Sequence, residues 1–314
     1  MPSFLSYFRD FFKTAHTGLL FFAILFTALL VFLNYRFSVE QRIVQTAPNR
    51  LIRFAALYGV YLTAFAIPYL VLLLFKGIRP FEPTLTWLIL LSPAVFALKV
   101  VMDPFTSLVQ QHVGDSWGRY WSVIIRLPAK CLLVIILLSL MWKAAGYRSN
   151  FMHIIAGTTN WKPYLLMLLL MVPLVAWASF QPGFLQVYPK LRQVHFIEPF
   201  TRAGWLYKSL FELSYGTDFI TVELFFRGFL VLAFVRYAGQ DAIVPMAVFY
   251  CSIHFGKPLA ECISSFFGGL LLGVVVYNTR SIAGGLVVHL GIAWMMEAGG
   301  QIGQLMTTKF TGSQ

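Results

Sequence analysis

The chain has 314 residues, of which 59% are hydrophobic and only 11% are charged. Soluble domains are about half apolar and about a quarter charged, so this composition excludes an ordinary soluble protein and predicts a polytopic membrane protein. Residues 1–207 carry the whole net charge of +12, with 18 basic and 6 acidic side chains, whereas residues 208–314 carry six of each. We interpret the basic excess as loops that face anionic lipid rather than as a nucleic-acid surface.

The first part of the chain is predicted to be an amphipathic helix followed by membrane spans. Residues 1–16 place aromatic and leucine side chains at helical spacing between charged ones, which predicts an interfacial helix rather than a cleaved signal peptide. Five apolar spans follow, at about residues 18–33, 54–75, 85–102, 131–142 and 163–180. Residues 120–130 are predicted to be an interfacial start to the fourth span.

The loop after the first span is the most basic of the chain. It contains Arg36, Arg42, Arg50 and Arg53. Cytoplasmic loops of membrane proteins carry an excess of arginine and lysine, so we predict that this loop lies in the cytoplasm.

From Leu206 onward the predicted helices follow one another closely. They lie at about residues 219–237, 242–255, 259–277 and 282–296, and their short joints make neighbouring helices antiparallel. Gly268, Gly269 and Gly273 would let membrane helices approach closely. The fold class is therefore an all-α transmembrane bundle of about eight or nine membrane helices, in the plasma (inner) membrane if the chain is bacterial. Its predicted regions are accessory residues 1–207, a core at 208–302 and a polar tail at 303–314.

Four ionisable residues interrupt the apolar helices of the predicted core. They are Glu223, Arg227, His254 and His289. Ionisable groups at bilayer depth cost several kcal/mol and normally face a bundle interior or a wet cavity, so we expect one shared site. Glu223 and Arg227 are four residues apart on one helix and share a face, which also fits a purely structural ion pair.

A carboxylate with two imidazoles can carry out three kinds of chemistry. It can bind a divalent metal such as zinc, activate water by general base catalysis, or relay protons in a transporter. The HExxH zinc pattern is absent. Cys131, Cys251 and Cys262 lie in or beside apolar segments without CxxC spacing, and they are interpreted as small core residues rather than as a disulfide or a zinc site.

Three short motifs make this part of the chain resemble a known family. Val222–Arg227 matches the second Glu and the Arg of an EExxxR motif, Tyr250–His254 matches FxxxH with Tyr in place of Phe, and His289 begins an HxxxN/D motif that ends at Ala293. In this order and spacing they resemble the CAAX prenyl protease and bacteriocin-processing (CPBP) family of intramembrane proteases. The resemblance covers about residues 208–300.

The resemblance implies an intramembrane peptidase that hydrolyses a peptide bond with activated water. In the family the first Glu and the second-motif His activate the water, the last His and the Asn hold the oxyanion, and the second Glu pairs with the Arg. Here Val222 stands at the first Glu, so our first hypothesis makes Glu223 the general base, positioned by Arg227, with His254 orienting water. His289 would be the oxyanion donor.

Further residues and components follow from the same hypothesis. Asp218 and Glu261 are additional carboxylates that could serve the site. The sequence establishes no cofactor, and a divalent metal such as zinc, if present, would be held by Glu223, His254 and His289. The expected partners are a membrane-anchored peptide or protein substrate and the lipid bilayer, without nucleic acid.

Two rival functions remain open at the level of sequence. The first is a catalytically silent relative that binds a membrane protein as a retention or immunity factor, which fits Val222 and Ala293 at two expected catalytic positions. The second is a proton-coupled transporter, against which the lack of any internal repeat counts.

Overall fold

The computed structural model describes residues 4–77, 82–103, 105–148, 151 and 161–311. It is 88% helical and has no strand among the described residues, which confirms the predicted all-α class. The three cysteines are buried and form no disulfide, as expected for core residues.

Helices follow one another along the described chain with short connections. The α-helices are α1 Phe4–Thr14, α2 Thr17–Phe37, α3 Val39–Thr46, α4 Arg50–Lys76, α5 Pro83–Val101, α6 Thr106–Val113, α7 Asp115–Ala144, α8 Lys162–Ser179, α9 Pro182–Val187, α10 Gly204–Val222, α11 Val235–Ala238, α12 Ile243–Ser252, α13 Leu259–Thr279 and α14 Ala283–Thr311. Two 3₁₀ helices cover Lys190–Phe200 and Gly239–Ala242, and a π-helix covers Glu223–Val231.

Six helical stretches of the described chain are long and apolar enough to cross a membrane. They are Thr17–Phe37, Arg50–Lys76, Pro83–Val113, Asp115–Ala144, Lys162–Ser179 and Leu259–Thr279. On α8 the leucines at positions 165, 166, 169, 170 and 174 expose more than half of their side-chain surface, as helices facing lipid do. These features are those of a multi-pass membrane protein, and the count of eight or nine spans stays a prediction.

Three helices differ from their predicted course. The interfacial start predicted at residues 120–130 is part of one continuous helix, α7, which accommodates Pro128 in its interior. Residues 303–311, predicted as part of a polar tail, continue α14. The helix predicted at 219–237 instead comprises the end of α10, the π-helix and α11, because the backbone changes its hydrogen-bond period at Glu223.

The described residues form two compact units, and the first consists of residues within Met1–Met102, Leu133–Thr159 and Val222–Ala283. Its core is aromatic. The ring of Phe96 on α5 lies 5.1 Å from those of Phe225 and Phe226 on the π-helix, and Phe226 lies 5.1 Å from Phe249 on α12. All nine π-helix residues are buried, so this core holds the segment with Glu223 and Arg227 in place.

Close glycine packing joins α13 to α12 in the first unit. A Cβ on Gly269 would lie 3.1 Å from the Tyr250 ring, and one on Gly273 would lie 2.7 Å from the Ile243 and Met246 side chains. Gly268 has no neighbour within 4 Å of such a Cβ. The close approach predicted from the four-residue spacing is therefore seen at Gly269 and Gly273, and the adjacent Gly268 takes no part in it.

The second unit consists of residues within Asp103–Leu132, Asn160–Thr221 and Gly284–Gln314. Its hydrophobic cluster brings α7, the Lys190–Phe200 helix and α10 together around Tyr120, Val194 and Phe211. Glycines of α14 meet α8 at Tyr164 and Leu168, and meet the chain at Tyr188 and Pro189. Small residues on α14 therefore allow close helix packing in this unit.

Candidate active site

The centre of the candidate site in the first unit is an ion pair inside the π-helix. Arg227 Nη1 lies 3.1 Å from Glu223 Oε1, and both side chains are essentially inaccessible to solvent. This pair confirms the shared face predicted from the four-residue spacing. Because each charge is compensated by the other, both can be buried at a cost that the aromatic core can offset.

Tyr250 on α12 connects this ion pair to His254. The guanidinium carbon of Arg227 lies 3.8 Å from the centre of the Tyr250 ring, in cation–π contact. The ring of His254, four residues later, contacts the Tyr250 ring edge-to-face with the ring centres 4.7 Å apart. Glu223, Arg227, Tyr250 and His254 therefore form one continuous set of contacts.

The hydrogen bond of His254 determines which of its ring nitrogens can accept a proton. Nδ1 lies 2.9 Å from the backbone carbonyl oxygen of Tyr250. A carbonyl only accepts, so Nδ1 carries the hydrogen and donates it, and in the neutral ring Nε2 is the nitrogen without a hydrogen. His254 is only partly buried, so Nε2 is arranged as a base or as an acceptor for water.

The joint that begins at His254, residues 254–258, is a set of tight turns. Lys257 N–H donates to the His254 carbonyl at 2.9 Å, and the Lys257 ammonium lies 3.1 Å from Glu261 Oε1 at the start of α13. Glu261 is thus placed beside the joint, in an ion pair with Lys257 one turn away.

The remaining predicted residues lie in the second unit. The ring of His289 on α14 contacts Phe219 edge-to-face at 4.8 Å, and the next residue, Leu290, lies beside Gly216 of α10. Asp218 is on α10, half-buried, and precedes the Phe219 that touches His289. The predicted convergence of Glu223, His254 and His289 on one cavity stays a prediction.

The two positions at which this chain departs from the motifs hold apolar side chains. Val222 is 8% exposed and Ala293 is 4% exposed, so both positions are buried without any charge or hydrogen-bonding group. Tyr250, in contrast, was predicted only as a replacement for Phe in the second motif. Its role between Arg227 and His254 depends on a contact between α12 and the π-helix, for which a tyrosine in that motif was the one sequence signal.

The described residues do not fit a zinc site. No group of three or more His, Cys, Asp or Glu side chains gathers in the part of the chain that the structure describes. Glu223 faces Arg227, and His254 Nδ1 is bonded to a carbonyl. A positive guanidinium beside the only carboxylate of this set opposes a divalent cation, so we route no chemical step through a metal.

Comparison with known proteins identifies the region that contains these contacts. Residues 204–295, just under a third of the chain, match the family model of the type II CAAX prenyl endopeptidase Rce1-like proteins. The match confirms the resemblance found in the motifs, and that family is a family of membrane-embedded proteases. No curated protein and no solved structure matches the chain significantly.

Proposed function

We propose, from the Rce1-like match over residues 204–295, that this protein is an intramembrane endopeptidase. Its substrate would be a membrane-anchored peptide or protein, and its location an integral position in a membrane, the inner membrane if the chain is bacterial. The observation that supports this proposal most is the buried set of contacts from Glu223 through Arg227 and Tyr250 to His254. A set that combined charge and imidazole without function would be costly inside an apolar core.

The proposed reaction is attack of a water molecule on the substrate carbonyl. The water gives a proton to Glu223 or to the Nε2 lone pair of His254 as its oxygen bonds to the carbonyl carbon. The N–H of His289 would stabilise the oxyanion, and the proton then passes to the leaving amine as the C–N bond breaks. Arg227 would fix the position of Glu223 through their ion pair.

A second candidate function is favoured by one specific observation. Glu223 is engaged with Arg227, and the position before it holds the apolar Val222. If Glu223 serves only that ion pair, the protein is a silent relative that binds a membrane partner. A transporter has no comparable support, because the chain has no repeat and matches a protease family.

The test is peptidase activity of the full chain in reconstituted membranes against a panel of membrane-anchored peptides. The first proposal expects cleavage by wild type and by Glu261→Gln, and loss of at least about a hundredfold in Glu223→Gln and His254→Ala, as for removal of a general base. Asp218→Asn tests the remaining carboxylate.

The two candidate functions predict opposite results when wild type is compared with Val222→Glu. If wild type cleaves nothing and Val222→Glu gains cleavage, the natural protein is a silent relative. If Glu223→Gln cleaves as fast as wild type while His254→Ala does not, Glu223 is not the base and the ion pair is structural.

A further inference from the structure

The joint that carries His254 is contacted by a helix far away in the chain and outside the family match. Asn34 and Tyr35 lie at the end of α2, and residues 204–295 contain the match. The Asn34 side-chain amide donates to the carbonyl of Phe255 at 2.9 Å, and the Tyr35 hydroxyl donates to the carbonyl of Lys257 at 2.6 Å. Two neighbouring side chains thus bind alternate carbonyls of the same joint.

Asn34 is itself fixed by a second hydrogen bond. Its side-chain oxygen accepts from the backbone N–H of Glu40 at 3.0 Å, and the residue is 4% exposed. Between them Ser38 adopts a left-handed conformation, with φ of 52°, which turns the chain from α2 into α3. The buried amide therefore has both of its ends bonded, which makes it a rigid connection between the α2–α3 turn and the joint.

A third contact comes from Glu40 on α3. A Cβ on Gly256 would lie 2.8 Å from Glu40 Oε2, so the carboxyl group rests directly on the joint. Burial raises the pKa of this carboxyl. Asn34, Tyr35 and Glu40 thus surround residues 255–257 on one side.

These contacts bear on His254 because the joint begins at that residue. The carbonyl of His254 accepts from Lys257 N–H, whose own carbonyl is held by Tyr35, and Phe255 follows His254 directly. Fixing the carbonyls at 255 and 257 fixes the backbone from which the imidazole extends. The bond from His254 Nδ1 to Tyr250 then keeps its geometry.

We infer that Asn34 and Tyr35 are positioning residues for His254, supplied by α2 from outside the family-matched core. They hold the joint so that the Nδ1–H of His254 stays on the Tyr250 carbonyl, which leaves Nε2 as the nitrogen without a hydrogen in the neutral ring. The inference rests on the proposed function for its role in catalysis, but the geometry it asserts can be measured without a substrate.

Each variant removes one hydrogen bond from α2 to the joint, and Asn34→Leu also removes the bond from the Glu40 N–H. Tyr35→Phe deletes only the hydroxyl, and Asn34→Leu replaces the amide with an apolar side chain of similar size that suits a membrane helix. Tyr120→Phe is the matched control, because its hydroxyl also donates to a backbone carbonyl, that of Tyr207 at 2.8 Å, in the other unit. All are made in the full chain, in lipid nanodiscs.

The first two measurements need no activity. Amide hydrogen exchange at His254, Phe255 and Lys257 should become about fivefold faster in Tyr35→Phe and in Asn34→Leu, as for loss of one hydrogen bond, and stay unchanged in Tyr120→Phe. Nitrogen-15 spectra of labelled histidine, assigned with His254→Gln, should show the Nδ1–H tautomer in wild type and a mixture of tautomers in both variants. Unchanged exchange and tautomer in both variants would overturn the inference.

The third measurement links the geometry to the reaction. If wild type cleaves a peptide, both variants should lower kcat about fivefold with KM unchanged, since the substrate still binds. Faster exchange with an unchanged kcat would overturn the positioning role. If wild type cleaves none of the peptides, the proposed function fails, and exchange and tautomer alone decide whether Asn34 and Tyr35 position His254.

Discussion

At the scale of single residues, the most consequential feature is a fully buried pair of opposite charges. Removing one partner of such a pair leaves the other charge without compensation, whereas removing both leaves an apolar core. A second feature is the carboxyl group of Glu212 on α10, which lies near another acidic side chain rather than in an ion pair of opposite charges. These two sites respond differently to substitution and to pH.

We expect Arg227→Ala to reduce the amount of protein in the membrane. The change leaves Glu223 charged and uncompensated in the aromatic core, which costs about 3–5 kcal/mol. The combined variant Glu223→Gln/Arg227→Met removes both charges and should recover most of the wild-type amount. Quantitative immunoblots of membrane fractions measure this. His254→Ala should remain near the wild-type level, and a double variant as scarce as Arg227→Ala would contradict the charge argument.

Glu212 predicts a pH dependence of stability in the second unit. Burial, and then the nearby Glu297, raise the pKa of Glu212 from 4.5 to about 7. Glu297 is held by the backbone N–H groups of Lys190 and Leu191, at 2.7 and 3.0 Å. The folded state binds the Glu212 proton more tightly than the unfolded state does, so protonation of Glu212 stabilises the fold. This contribution to the free energy of unfolding is complete below pH 4.5 and disappears as the pH rises through 7.

We therefore expect Glu212→Gln to flatten the fall in thermal stability between pH 5 and pH 8. Glu212 is only half-buried, so after allowance for solvent screening the gain at pH 8 should be about 1 kcal/mol. The measurement is the thermal midpoint of the detergent-solubilised chain across that range. Glu198→Gln is the control. Lys208 lowers the pKa of the exposed Glu198 carboxyl, so the charge of Glu198 does not change between pH 5 and pH 8. A Glu212→Gln slope equal to that of wild type would refute the assignment.

At the scale of helices, two irregular elements carry the site. The π-helix Glu223–Val231 places a carboxylate and a guanidinium within an aromatic core. The turns that follow α12 place His254 two residues beyond the end of that helix. Segments with hydrogen bonds from residue i to i+5 are rare in proteins, and those that occur often lie at functional sites, which is consistent with this placement. The regular helices, in contrast, depend on how closely their backbones approach.

We expect Gly300→Ala on α14 to destabilise the protein by about 1–3 kcal/mol. The new Cβ would lie 2.6 Å from Pro189 N and 2.8 Å from the Tyr188 carbonyl carbon, and backbone atoms cannot move aside as a flexible side chain can. Thermal midpoints of the purified variants measure the effect. Gly268→Ala, where nothing lies within 4 Å of the added atom, should be neutral or slightly stabilising. Equal losses in both variants would indicate that helix propensity, not contact, governs these positions.

At the scale of the whole molecule, composition and exposed apolar surface place the chain in a membrane. Lipid-facing leucines on α8 and phenylalanines on α2 are stable only where water is absent. The arginines at positions 36, 42, 50 and 53, from the end of α2 to the start of α4, favour the side of the membrane that this region faces.

We expect the segment after α2, which contains α3, to face the cytoplasm. A cysteine at the exposed position 41, in Gln41→Cys, should react with a membrane-impermeant maleimide in inverted vesicles and not in intact cells. The three native cysteines are buried, so they give little background. Permeabilised cells serve as the positive control. Labelling of intact cells at the rate seen in inverted vesicles would reverse the orientation.

The sequence by itself determined the class of protein, the all-α fold and the motif residues of the candidate site. Hydrophobic composition and helical period are local properties, and four-residue spacing alone predicted the Glu223–Arg227 pair. The same local logic missed the π-helix, because its nine residues have an ordinary apolar pattern and the change in hydrogen-bond period comes from packing against α5 and α12.

Only the tertiary structure decided how His254 is held. Its tautomer depends on one carbonyl of Tyr250, and its joint depends on Asn34, which lies 221 residues away from Phe255 in the chain. Such contacts have no period in the sequence. They arise when the folded core brings distant helices to the same place, where a buried amide must find its partners because water is excluded.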